Sequence, residues 1–129
     1  LRAEIVEVLK GIIAEQVSAP VVIGSLLPDR SFSVSFAGGA PAAAYWTLNT
    51  DEDMPITFNG KGPNQQDLAV QMEQVHRSLT TNKNLPTGEN WQIYAITTTS
   101  APQLIGREEN GNWIFGSSFR VRFFAKGAN

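Results

Sequence analysis

The stretch from Ile105 to Phe124 reads "IGREENGNWIFGSSFRVRFF", and its alternation says more about the architecture than any other part of the chain. Turn-forming residues Glu109, Asn110, Gly111 and Asn112 launch a run broken only by Gly116. Every second position (Trp113, Phe115, Ser117, Phe119, Val121, Phe123) falls on one face of an extended chain, a face built for burial. The other face carries Ile114, Gly116, Ser118, Arg120, Arg122 and Phe124, and is neither plainly wet nor plainly core. At about 3.4 Å per residue the run from Trp113 to Phe124 is roughly 40 Å long, about twice the usual strand. A chain of 129 residues has an expected radius of gyration of about 14 Å, so this strand crosses the whole body. The open question is what covers its second face.

Upstream, "WQIYAITTTSAPQLIGR" (91–107) reads as a strand with Trp91, Ile93, Ala95 and Thr97 on one face and Gln92, Tyr94, Ile96 and Thr98 on the other. The intervening turn makes the two strands an antiparallel hairpin. Before a polar loop, "TNKNLPTGEN", comes a well-marked helix: Asn64 follows Pro63 as N-cap, Asp67 approximates a capping box, and Leu68, Met72, Val75 and Leu79 recur at helical spacing. "MPITFNGKG" alternates Met54, Ile56 and Phe58 as another strand. Residues 37–53 form a long irregular segment containing Tyr45 and Trp46, of a length that in a compact domain is usually functional. Phe32, Val34 and Phe36 alternate with Ser31, Ser33 and Ser35, a strand with one wet face. "LRAEIVEVLKGIIAEQV" is a first helix, with Ile5, Leu9, Ile12 and Ile13 on one broad face; Gly11 costs it about 1 kcal/mol against Ala and marks a close backbone contact. The expected class is α+β: a mostly antiparallel sheet of four to five strands, two helices packed on one face, a long C-terminal hairpin, and one domain over 1–129.

Bulk composition narrows the function classes. With 42% hydrophobic and 17% charged residues this is a globular sequence and not a disordered one. A net charge of −2 disfavours a protein that lives by sequence-independent phosphate contacts. No cysteine is present, which removes disulfides, thiolate chemistry and Cys-based zinc sites and fits a reducing compartment. No stretch approaches the 18 or so apolar residues of a membrane span. The opening stretch, with Glu4, Glu7 and Glu15, does not itself read as a signal peptide.

Each chemical motif fails on spacing or partners. His76, the single histidine, sits mid-helix beside the apolar stripe with no nucleophile or carboxylate fixed near it, and reads as a packed side chain. Asp51-Glu52-Asp53 lacks the alternating oxygen ligands of a calcium loop and reads as a solvated loop. Glu108 and Glu109 are adjacent on an extended segment and point apart, so they do not converge as a catalytic pair. "FNGKGPNQQ" runs strand, glycine-rich loop, helix, but Lys61 is followed by Gly62 and Pro63 where a P-loop needs Ser or Thr; it reads as a turn feeding a capped helix. Arg120, Arg122 and Lys126 form a basic cluster without acidic company, while Phe119 and Phe123 lie on the opposite face and cannot stack on what the arginines grip. An ion-paired or interface role fits them better than nucleic acid. The sequence indicates no cofactor and no metal.

"PITFNGKGPNQQDLAVQMEQVHRSLT" together with "APQLIGREENGNWIFGSSFRVRFF" resembles tailed-bacteriophage minor capsid proteins related to tail terminators. The resemblance runs from about Met54 to Phe124. Its most specific parts are Gly60-Lys61 leading into Asn64-Gln65, then Pro102, Ile105-Gly106-Arg107-Glu108 and the Asn110-Gly111 turn. It implies a virion protein at the head–tail junction that forms a ring, typically a hexamer, caps the tail-tube protein and presents a surface to the head connector or head-closure protein. The same resemblance also admits a head-completion or neck subunit. A ring of copies would complete the semi-apolar second face and the far end of the long strand, with Arg120, Arg122 and Phe124 at the contact and Tyr45 and Trp46 as aromatic anchors. Arg120 and Arg122 would also guard an exposed strand edge. The competing class is a monomeric α+β module with one apolar pocket for a peptide or small molecule.

Overall fold

The computed structural model describes residues 2–36, 41–44, 50–81 and 85–125. In chain order the elements are α1 (Arg2–Ala14), β1 (Val21–Ile23), β2 (Ser31–Phe36), β3 (Pro41–Ala44), β4 (Thr50–Gly62), α2 (Gln65–Thr81), β5 (Trp91–Arg107) and β6 (Trp113–Ala125). The sheet runs β1-β2-β4-β6-β5, and β3 pairs with β4 at the end that β2 does not reach. All pairings are antiparallel except β1–β2. A parallel neighbour normally needs a long crossover. Here β1 spans three residues, about 10 Å, so the loop 24–30 suffices to bring the chain back.

The alternation on β6 is realised as read: Phe115, Ser117, Phe119, Val121 and Phe123 are buried, with Trp113 half-buried. Through the unbroken β4–β6 register this face continues onto Met54, Ile56, Phe58 and Gly60, and through β2 onto Phe32 and Val34. The rings of Phe32 and Phe58 stack at 5.7 Å. Against this face α1 sets Ile5, Val6, Leu9 and Ile13, and α2 sets Leu68, Met72, Val75 and Leu79, in one contiguous core. The α2 cap is the expected one: the Asp67 amide donates to Asn64 Oδ1 at 3.0 Å. The α+β class, the two helices on one face and the C-terminal hairpin are therefore present.

Several local expectations are overturned. The segment 37–53 is not wholly irregular, because β4 begins at Thr50, and β3 and β6 pair with the stretch 50–53. Asp51, Glu52 and Asp53 accordingly lie half-buried in a strand and not in a solvated loop. The serine face of β2 is not wet: Ser31 and Ser33 are buried, and the 24–30 loop folds back so that Ser31 Oγ accepts from the Leu27 amide at 3.1 Å. Hydroxyl alternation reveals polarity but not what lies on top of it. On β5 the parity switches, since the pairing with β6 shifts between Ile93 and Ala95; Ile96 is then buried and Thr97 exposed. A bulge moves every later side chain to the other face. Among the described residues nothing beyond the helix's own backbone lies within 4 Å of where a Cβ at Gly11 would stand, so no close contact explains it.

Candidate interaction surface

β6 lies between β4 and β5 and is paired with both along its length, so its arginines guard no free edge. What stays open is part of its second face. At one end of that face the 24–30 loop and the β5–β6 turn close over β4. Lys61, expected in a turn, is the penultimate residue of β4; its ammonium donates to the Leu27 carbonyl at 3.0 Å and sits 2.9 Å from Glu108 Oε1. Glu108 is thus committed to Lys61, whereas Glu109 stands exposed in the turn, where Gly111 takes φ 93°. Next to this clasp, Ile105 folds across Gly116, its Cδ1 2.5 Å from where a Cβ would sit, and Asn59 Oδ1 lies at 2.8 Å from the same point. Glycine is what lets this end of the face close. Beyond it a shallow hollow of about 220 Å³ is bordered by hydroxyl and amide groups of Thr57, Asn59, Ser100, Gln103 and Ser118.

The other end carries the predicted residues Arg120 and Arg122. They do have acidic company, supplied by β4. Arg120 Nη1 donates to Asp53 Oδ2 at 2.7 Å. The Arg122 guanidinium lies 5.7 Å from the Tyr94 ring centroid, and the Tyr94 hydroxyl donates to Asp51. Two arginines and two aspartates therefore balance on one patch. Phe124, on the same strand face, is half-buried. The structure thus brings Arg120, Arg122 and Phe124 together, while Tyr45, Trp46 and Lys126 lie outside the described residues. Tyr94, Asp51 and Asp53 were missed as members of this patch. The aspartates' only trace in the sequence is opposite charge on a strand whose pairing with β6 is not local, and Tyr94 sits on the expected hairpin partner at a register that alternation alone does not set.

On the helix side a cleft of about 500 Å³ opens between α2 and the Ala101–Pro102 segment of β5, with Glu73, His76, Arg77 and Phe115 among its lining. His76 is buried, its Nε2 2.8 Å from Thr98 Oγ1 and its ring 5.3 Å from Phe119. Burial pushes its pKa below the ordinary histidine value. Nδ1 is buried and meets no hydrogen-bond partner among the described residues. A histidine that activates a hydroxyl needs a third group to orient it, so the His76–Thr98 bond fits a strut between α2 and β5 better than a catalytic pair. Among the described residues no three His, Cys, Asp or Glu side chains converge as a metal site, and no helix is long and apolar enough to cross a membrane.

No family model matches the chain, and no curated protein matches it. Among solved structures, a chain from the virion of a native gene transfer agent particle shares the fold, with a TM-score of 0.61 over 88% of this chain and 85% of that one, at 13% identity.

Proposed function

We propose that this protein is a virion structural component acting as a tail terminator at the head–tail junction. In this reading copies close into a ring, a hexamer, that caps the tail tube and joins it to the head connector. It acts by burying complementary surfaces and turns over no substrate, and it passes through the host cytoplasm only during assembly. The observation that carries the reading is the fold shared with a virion chain over 88% of the length, in register with the residue resemblance to terminator-type proteins. The surface is in keeping with it: the chemical groups are spent on struts and clasps, and the open end of the sheet is charge-balanced. Such a balanced face, set in a ring, would let a polyanion pass without counterion release and without gripping it.

Light scattering on the purified protein, with negative-stain images of it alone and mixed with tail tubes, tests the proposal. Closed rings, free or seated on tube ends, are expected. A monomer that leaves tube ends bare, in a preparation where tubes are intact, would overturn it; particles in which the protein sits on the head and never on the tube would make it a neck subunit.

A further inference from the structure

Among the described residues the strand path of the sheet ends in β1 and β5, at opposite flanks, and β3, paired only with β4, forms a further short edge beyond the end of β2. Among the described residues β1 pairs only with β2, and β5 pairs with β6 plus a single bridge from Thr87 to Gln92. Most of the large apolar side chains that remain exposed divide between these two flanks. On the first are Ile23, Leu27 and Phe36, each 38–39% exposed; on the second are Leu104 and Ile105 of β5, at 44% and 62%, while Val70 stands 58% exposed on the outer side of α2. Tyr94, also on β5, is exposed but bound to Asp51. The central strands β4 and β6 contribute none.

We infer that these two flanks are the two halves of one head-to-tail interface, the β1 flank of one copy seating against the β5–α2 flank of the next. The inference rests on the ring reading above and names the surfaces that close it. A two-fold dimer uses one patch twice, whereas a head-to-tail contact needs two different patches on each copy, and rings follow when the rotation closes. The areas are of the right order. With roughly 150 Å² for a large apolar side chain, the first flank exposes about 175 Å² and the second about 160 Å². A standard interface takes about 800 Å² per partner, a little over half of it non-polar, so each flank supplies about a third of the apolar share from two or three residues. The contact is made by side chains more than by sheet continuation. β5 is irregular against β6 at four places, and bulges spoil an edge as a template for another strand. The cleft between α2 and β5, floored by apolar atoms of Ala69, Pro102 and Phe115, lies on this flank and offers room for a projecting side chain.

The absence of native cysteine makes the test direct. Ile23→Cys and Leu104→Cys are made singly and together, and oxidised on assembled material. Head-to-tail contact predicts that neither single variant cross-links with itself, that a mixture of the two gives dimers, and that the double variant gives a ladder ending at the ring number. Self-cross-linking of either single variant, or no cross-link in the mixture while rings are visible by negative stain, overturns the assignment of surfaces and leaves the ring reading intact. Absence of rings altogether fails the ring reading itself. As a second readout, Leu104→Asp, an exposed change that leaves the core untouched, lowers ring yield at least tenfold with an unchanged melting temperature of the monomer; unchanged ring yield would count against the flank.

Discussion

Arg120 and Asp53 are held 2.7 Å apart on neighbouring strands, with the arginine half exposed and the carboxylate only 23% exposed. A pair in that setting is worth about 0.5–1 kcal/mol by double-mutant cycle, because water still screens the guanidinium. Its use lies more in neutralising a charge than in fastening the sheet. Asp53→Asn combined with Arg120→Gln keeps the net charge and a polar pair, so urea unfolding should place it within about 0.5 kcal/mol of the parent. If the guanidinium also meets a partner in the ring, the same double variant assembles poorly at unchanged stability. Full assembly would remove Arg120 from the contact. Reversing both arginines to glutamate instead gathers four carboxylates on the Asp51–Asp53 patch, and loss of both stability and assembly is expected.

Lys61 presents the opposite balance. Its side chain is 7% exposed while Glu108 is 35% exposed, so the two ends of the ion pair are not equivalent. Glu108→Ala strands a buried ammonium on the Leu27 carbonyl alone, at a cost of about 2–3 kcal/mol, below the range for a fully buried pair because Glu108 is partly wet. Lys61→Met removes the charge from the dry side, and Glu108 turns to solvent, at about 1 kcal/mol or less. Chemical denaturation of the two variants should rank them in that order. The reverse order would mean that the ammonium reaches water.

Lys61 also shows why the site was less legible than the fold. The α2 stripe, its Asn64 cap, the span of β5 and the buried face of β6 all follow from periodicities within one segment. The clasp joins Leu27, Lys61 and Glu108, and the patch joins Asp51, Asp53, Tyr94, Arg120 and Arg122; each depends on which strands lie side by side. Local alternation carries no register. It also misjudged Ser31 and Ser33, where a loop covers polar groups, and the β5 face after Ile93, where one bulge inverts the pattern.

Two glycines predict opposite outcomes on alanine substitution. At Gly60 a Cβ would stand 2.7 Å from Met72 Sδ, 2.9 Å from Phe32 Cε1 and 3.0 Å from Leu68 Cδ1, so α2 rests on the sheet where the side chain is missing. Gly60→Ala overpacks that seam and should cost about 1–3 kcal/mol. Gly11 lies on the exposed side of α1 with no other element near it among the described residues, and Gly11→Ala should add about 0.5–1 kcal/mol, raising the melting temperature by roughly 2–5 °C. Calorimetry on both variants checks the pair. A destabilising Gly11→Ala would show that the helix backbone departs from the one described.

His76, the single histidine of the chain, makes stability depend on pH. Burial lowers its folded-state pKa. The unfolded chain therefore binds the proton first as pH falls, and it gains free energy that the folded state does not. Stability is full above the ordinary histidine value, falls as pH drops from about 6.5 toward the depressed folded value, and levels off below it, with a slope of at most about 1.4 kcal/mol per pH unit. Protonation would also set a buried N–H at Nδ1 with no acceptor among the described residues, while the Thr98 bond at Nε2 can persist. Urea unfolding at a series of pH values between about 7.5 and 5 should show this decline, and His76→Gln should flatten it. Imidazole NMR titration then reads the folded midpoint directly. A midpoint at or above the unperturbed value would mean that water or the Glu73 carboxylate on the neighbouring turn of α2 reaches the ring, and the strut between α2 and β5 would have to be redrawn as an exposed contact.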